Sequence, residues 1–263
     1  MDLRLSGQHV LITGGSRGIG LACALEFLRE GARVSIAGRS PEHLQSAQAQ
    51  LLGQTGAPVA IFSADLSDAQ AALAMVDAAE REGGPIDILV NSAGAARLTP
   101  FAELNPAAWQ AAMQAKFFSY INVTDPLIKR MGARGHGAVV NVVGMGGKVA
   151  TIHHLAGGSA NAALMLSTVG MAAAYAPQGV RVNAVNPALT LTERATAAIA
   201  ADARQRKVPE EEAMRQAQSR APLGRLARPE DIADVVVFLA SPRAAYVTGV
   251  VMSMDGASVP LVV

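Results

Sequence analysis

At 263 residues the chain is long enough for one large α/β domain with a substantial core. Hydrophobic residues make up 51% and aromatics only 4%, so aliphatic side chains and alanine must build that core. A net charge of +1 with both signs interspersed argues against nucleic acid or an acidic membrane as partner. The single Cys23 has no mate for an internal disulfide. No signal-like segment opens the chain, and no run approaches the ~18 apolar residues of a membrane span, so a cytoplasmic protein is the expectation.

An apolar run, Val10–Ile12, ends at Thr13 in a turn holding Gly14, Gly15, Gly18 and Gly20, and a helix is predicted over Leu21–Arg29. A strand feeding a glycine-rich turn and a helix start is a phosphate cradle: amides point at the anion and glycines let the backbone approach it. Residues 32–37 form a second strand ending at Gly38-Arg39-Ser40. Ser40-Pro41-Glu42 then reads as a cap, a first-turn proline and an acidic first turn, with a helix to about Gln54. Val59–Phe62 is a third strand, Asp68–Glu82 a helix, and Ile86–Val90 a fourth strand running into Asn91-Ser92-Ala93-Gly94. Asn105-Pro106 caps a long helix to about Met131, which Pro126 is expected to kink or interrupt. Ala138–Val143 is a fifth strand, and a loop bearing glycine and histidine leads to a helix from about Gly158 to Ala176. Val180–Val185, a charged helix-prone stretch over 193–221, a helix Pro229–Leu239 and a strand Val250–Met254 complete the chain.

Strands and helices alternate at spacings too long for hairpins. The prediction is an α/β fold: a doubly wound, parallel, seven-stranded sheet with helices on both faces, in one domain over 1–263. A ligand then lies beyond the carboxyl ends of the strands, which gathers 13–20, 38–40, 65–66, 91–94, 144–157 and 187–192 around one crevice.

The chain resembles the short-chain dehydrogenase/reductase family, of the kind that includes ketoacyl reductases, over nearly its whole length. The residues that carry the resemblance are Thr13-Gly14-x-x-x-Gly18-x-Gly20, Asp65-Leu66, Asn91-x-Ala93-Gly94 and Arg181-Val182-Asn183-Ala184-Val185-Asn186-Pro187. It continues in Pro222-Leu223-Gly224-Arg225, Arg228-Pro229-Glu230-Asp231-Ile232-Ala233, Thr248-Gly249 and Asp255-Gly256. It implies a Rossmann-type fold and a nicotinamide dinucleotide on Gly14, Ser16, Arg17, Gly18, Ile19 and Gly20. Asp65 and Leu66 would line the adenine, Asn91, Ala93 and Gly94 would back the ribose, and Pro187, Leu189, Thr190 and Thr192 would flank the carboxamide. An NAD-preferring turn places an acid at the end of the second strand; this chain has Gly38 and Arg39 there, with Arg17 in the glycine loop. Two guanidinium groups suit a 2′-phosphate, so NADP is expected over NAD.

Family members use Ser, Tyr-x-x-x-Lys and an Asn from the long helix. In this register those positions hold Gly144, Gly157, Asn161 and Lys116, so the usual proton transfer does not carry over. Lysine and asparagine look exchanged: Lys116 would bring an ammonium to the pocket and Asn161 would bond the ribose hydroxyls, unless Lys116 snorkels to solvent beside a core Phe117 and Phe118. Candidates to handle the proton are His153, His154 and, one turn beyond Lys116, Tyr120. Gly157 and Gly158 would widen the floor of the site. No metal is expected, because His153-His154 lacks ligand spacing and no Cys or acidic cluster accompanies it. By resemblance 193–221 is a substrate lid, and the Ala-rich faces of 111–131 and 158–176, with strand 250–254, suit a homotetramer or dimer. Three readings follow: an NADP(H)-dependent oxidoreductase on a small carbonyl or alcohol, a catalytically silent NADP(H)-binding sensor or subunit, and a non-redox enzyme reusing the pocket.

Overall fold

The computed structural model describes residues 1–94 and 98–261. Its strands are β1 (His9–Thr13), β2 (Arg33–Gly38), β3 (Val59–Ser63), β4 (Ile88–Asn91), β5 (Gly137–Val142), β6 (Val180–Pro187) and β7 (Val251–Met254). All neighbours are parallel, in the order β3-β2-β1-β4-β5-β6-β7. The helices are α1 (Gly18–Arg29), α2 (Pro41–Thr55), α3 (Ala69–Gly83), α4 (Pro106–Ala112), α5 (Ser119–Arg134), α6 (Leu155–Tyr175), α7 (Glu193–Arg206), α8 (Glu210–Ser219) and α9 (Pro229–Ala240). This is the doubly wound α/β sheet expected from the alternation, with helices on both faces.

Side chains alternate along each strand, and both faces are apolar, as a sheet covered twice requires. Val10, Ile12, Val90 and Val140 pack beneath α1, α2 and α9 with Phe27, Leu51 and Val236; Leu11, Leu89 and Val139 pack on the other face with Val76 of α3 and Val123 and Leu127 of α5. Cys23 is fully buried in the first of these clusters. Ser40 and Asn105 cap α2 and α4 through His43 N (3.2 Å) and Ala108 N (3.0 Å), as their spacing predicts. Among the described residues no helix is long and apolar enough to cross a membrane.

Three element starts and one expected break differ from expectation, each for a local reason. Helix α1 starts at Gly18, not Leu21, because the Leu21 amide already donates back to the Arg17 carbonyl (3.4 Å), so the turn runs straight into the helix. Strand β4 begins at Ile88, not Ile86: the Ile86 amide donates to Glu80 Oε1 (3.1 Å) rather than to a strand neighbour. Helix α6 begins at Leu155, with the His154 carbonyl accepting from Gly158 N (2.7 Å). The long helix runs unbroken through Pro126. Its departure from α geometry is a π-helical stretch, Met113–Phe118, between α4 and α5.

The strand order reverses between β1 and β4, which opens a crevice at their carboxyl ends. Thr13 stands level with Asn91, and Asn91 with Asn141. A buried polar chain ties that edge together: Thr13 Oγ1 to Asn91 Oδ1 (3.4 Å), Asn91 Nδ2 to Asn141 Oδ1 (2.9 Å) and Asn141 Nδ2 to Thr168 Oγ1 (2.9 Å).

Candidate active site

The first half of the crevice is made of backbone. Gly14 (φ 68°) and Gly94 (φ 87°) hold conformations that favour glycine, and a Cβ on Gly14 would stand 2.8 Å from the Ala93 backbone. The β1 turn and the end of β4 thus close on each other. Gly18 lies against Thr192, whose methyl would be 3.0 Å from an added Cβ, which brings the start of α7 to the same loop. Thr192 Oγ1 caps α7 by accepting from Ala195 N (3.3 Å), and Thr190 is buried with its hydroxyl donating to the Ala188 carbonyl (3.1 Å). Leu189 is half-exposed between them.

Ser16 Oγ sits 3.6 Å from where a Gly38 Cβ would be, so the glycine loop and the end of β2 form one corner. Arg17 and Arg39 stand exposed there, and neither guanidinium has a hydrogen bond or ion pair among the described residues. Asp65 is turned to its own loop, accepting from Ser67 N (3.0 Å) and Ser67 Oγ (2.7 Å), which hold its carboxyl below the usual range.

Three of the expected cofactor residues turn their side chains into the protein. Asn91 spends both amide hydrogens inside the protein, on Thr124 Oγ1 (2.8 Å) and Asn141, so only its backbone faces the crevice. The Leu66 and Ile19 side chains belong to the two core clusters, the first buried and the second partly buried, leaving their backbones to the site.

The second half is made of buried side chains. Lys116, on the π-helical stretch, is 8% exposed and does not snorkel. Its Nζ donates to Tyr120 Oη (2.8 Å) and to the Val142 carbonyl (3.1 Å) at the carboxyl end of β5, and lies 4.4 Å from the Tyr120 ring centre. Tyr120 Oη also donates to Val142 O (2.5 Å). Burial lowers the Lys116 pKa from 10.5 to about 7, with Arg194 adding repulsion; burial pushes the Tyr120 phenol up. Lys116 is therefore poised to exchange a proton near neutrality, and Tyr120 is not. Phe117 is partly buried beside Tyr120, whereas Phe118 is exposed and no part of the core.

The histidines part company. His153 is exposed and serves through its carbonyl, which accepts from Thr99 N (3.1 Å). His154 turns over the 144–147 loop: a Cβ on Gly146 would stand 3.0 Å from its Cδ2 and 3.6 Å from Asn161 Nδ2. Two buried polar atoms here have no partner, His154 Nδ1 and Asn161 Oδ1. Burial, then Lys116 and Arg194, lower the His154 pKa, so the ring is neutral at pH 7. Gly158 widens nothing: the Gly146 carbonyl packs 2.5 Å from where its Cβ would be. Among the described residues no cluster of His, Cys, Asp or Glu could hold a metal. The charge of Arg194, from α7, is felt at Lys116 and His154, and nothing in local sequence spacing signals this.

Fold and crevice define a dinucleotide-binding α/β protein. A family model described as Enoyl-(Acyl carrier protein) reductase matches residues 14–257. D-threitol dehydrogenase of Mycolicibacterium smegmatis is 35% identical over 258 residues, covering 97% of this chain and 94% of that one. Among solved structures, L-sorbose reductase of Gluconobacter frateurii, complexed with NADPH and L-sorbose, superposes with a TM-score of 0.94 at 28% identity, covering all of both chains. An NADPH-bound short-chain oxidoreductase of Pseudomonas aeruginosa containing an atypical catalytic center matches with a TM-score of 0.86 at 33% identity, covering 95% of this chain and 97% of that one. The chain belongs to the short-chain dehydrogenase/reductase family.

Proposed function

We propose that the protein is an NADP(H)-dependent oxidoreductase that interconverts a small carbonyl compound and its alcohol, with Lys116 handling the proton. The observation that carries this reading is the Lys116 amine, buried at the carboxyl end of β5 between a phenol and a carbonyl, with a pKa near 7. A general acid or base works best with its pKa close to the working pH.

The crevice fits the coenzyme. Gly14, Gly18 and Gly20 keep side chains off the diphosphate path, and the amides at the start of α1 face it. Arg17 and Arg39, unpaired beside Ser16, suit a 2′-phosphate. Asn161 Oδ1, buried without a partner, suits a ribose hydroxyl. The NADPH complexes among the structural relatives support the same choice. NADP(H) supplies or accepts the hydride when bound.

In the direction of reduction, the carbonyl carbon takes the hydride and the carbonyl oxygen takes a proton from the Lys116 ammonium. That leaves a neutral amine hydrogen-bonded to Tyr120 and Val142. His154 returns a proton from solvent to that amine, and oxidation runs the same steps backwards. Tyr120 is a positioning residue: its hydroxyl, itself bonded to Val142, fixes the amine. In this reading α7 and α8 form a lid over the substrate, and the exposed Leu166 and Val169 of α6 belong to a surface between copies in a homotetramer.

The test is NADPH consumption over a panel of carbonyl compounds, run beside coenzyme binding. Turnover on any member supports the reading. Tight NADPH binding with no turnover on the panel assigns the chain to the silent sensors and partner subunits.

A further inference from the structure

We infer that the substrate carries an anionic group, a carboxylate or its like, and that Arg194 receives it while the carbonyl faces Lys116. The inference rests on the oxidoreductase reading and narrows its substrate class.

The charges around the proton-handling groups are all of one sign. Arg194 is the charged neighbour of both Lys116 and Tyr120, and His154 feels Lys116 and Arg194; no carboxylate appears among these influences. The chain as a whole is nearly neutral, at +1, so this concentration of positive charge is local.

Arg194 is also unpaired in a segment where most arginines are not. Between α7 and α9 four arginines are spoken for: Arg204 with Glu210 (3.6 Å), Arg206 with Asp202 (2.8 Å), Arg215 with Glu212 (2.5 Å) and Arg225 with Asp231 (2.5 Å). Arg194 is exposed, and its guanidinium has no hydrogen bond or ion pair among the described residues. Arg220 and Arg228 share that freedom, but the first ends α8, the second precedes α9, and neither is among the charges felt by Lys116, Tyr120 or His154.

Position completes the case. Arg194 is the second residue of α7, two positions after the Thr192 cap that rests against Gly18, so its helix start is anchored at the crevice. A second hydrogen-bonding group waits nearby: His154 Nδ1, buried and unpartnered, which donates in its Nδ1–H tautomer. Cations held close without a counter-charge repel one another, and an anion seated among them removes that repulsion while helping Lys116 keep its proton. A carboxylate takes the fork of a guanidinium with two hydrogen bonds, which also fixes which way round the carbonyl lies.

The coenzyme's diphosphate is a second source of negative charge near this helix start, and the experiment separates the two. Wild type and Arg194→Gln are compared at saturating NADPH on pyruvate, acetoacetate and levulinate, each against its methyl ester. NADPH affinity is measured separately, and the binding of malonate and glutarate to the NADP⁺ complex is followed by calorimetry. Wild type is expected to prefer at least one acid over its ester by about tenfold or more, and Arg194→Gln to erode that ratio by about 10–100-fold, the scale of a lost charge-assisted pair. Equal losses on acids and esters, or a change confined to NADPH affinity, would overturn the inference. If wild type reduces nothing on the panel, the oxidoreductase reading fails by itself and the dicarboxylates still decide. Binding weakened by Arg194→Gln sustains the anion site; absent or unaltered binding refutes it.

Discussion

Around the ends of β1, β2 and β4 the crevice is lined by backbone, whereas around β5 and β6 it is lined by buried side chains. The first half works through where the main chain can go. A Cβ at Gly14 or Gly20 would meet the backbone of Ala93 or Gly14, and Gly18 takes a φ of 57°, so these glycines let the loop close on its neighbours. The second half works through which atoms are protonated. One amine with two hydrogen-bond acceptors around it is brought to neutrality by burial, where the family pattern would have a tyrosine and lysine some 40 positions later in the chain. Backbone cradles tolerate little change. Proton-handling groups can be exchanged, provided that an equivalent atom reaches the same place with a suitable pKa.

Four variants sharpen or break that contrast. Lys116→Ala should have the largest effect, lowering kcat by about 10²–10⁴-fold, the usual contribution of a general acid, with coenzyme binding retained. Stopped-flow reduction together with NADPH titration checks this, and a kcat within threefold of wild type would remove Lys116 from the chemistry. Gly20→Val comes next. Its side chain would overlap the Gly14 carbonyl, so NADPH affinity should fall by about 100-fold while circular dichroism still reports a folded sheet. Arg17→Ala with Arg39→Ala should weaken NADPH by about 10–100-fold and leave NADH nearly unmoved, as expected for lost charge-assisted bonds to a phosphate. A matching loss for NADH would place both arginines elsewhere.

The smallest effect is on stability. The Lys116 pKa is about 7 in the fold against an ordinary 10.5, so folding expels a proton between those values, and stability rises with pH across that window. Lys116→Met should abolish this dependence and stabilise the protein by roughly 1–3 kcal/mol at pH 6, where the buried charge costs most. Thermal melts at pH 6 and pH 9 read it directly.

The backbone half was almost wholly legible in the sequence, because its physics is local. Glycine spacing, strand ends and caps such as Ser40 and Asn105 are written within a few residues of where they act. The side-chain half was legible only in part. The i, i+4 spacing of Lys116 and Tyr120 foretold a shared face, but not that both would meet the carbonyl of Val142, 26 and 22 residues away. Burial of the amine, which sets its charge, depends on α5, α6 and β5 closing together. Arg194, whose charge is felt by Lys116 and His154, stands on a helix whose own pattern shows only a solvated, charged surface. Pro126 misled because its missing amide is harmless enough to leave the helix unbroken, while the π-helical stretch that carries Lys116 has no local breaker to announce it.

The central claim is that the proton exchanged with substrate resides on Lys116. The most direct measurement is the pH dependence of kcat for reduction and for oxidation, in wild type and in Lys116→Arg. Reduction needs the ammonium and should fall as pH rises through about 7; oxidation needs the free amine and should rise over the same range. Both inflections should vanish in Lys116→Arg, whose guanidinium does not titrate there. Inflections that persist unchanged in that variant would contradict the account.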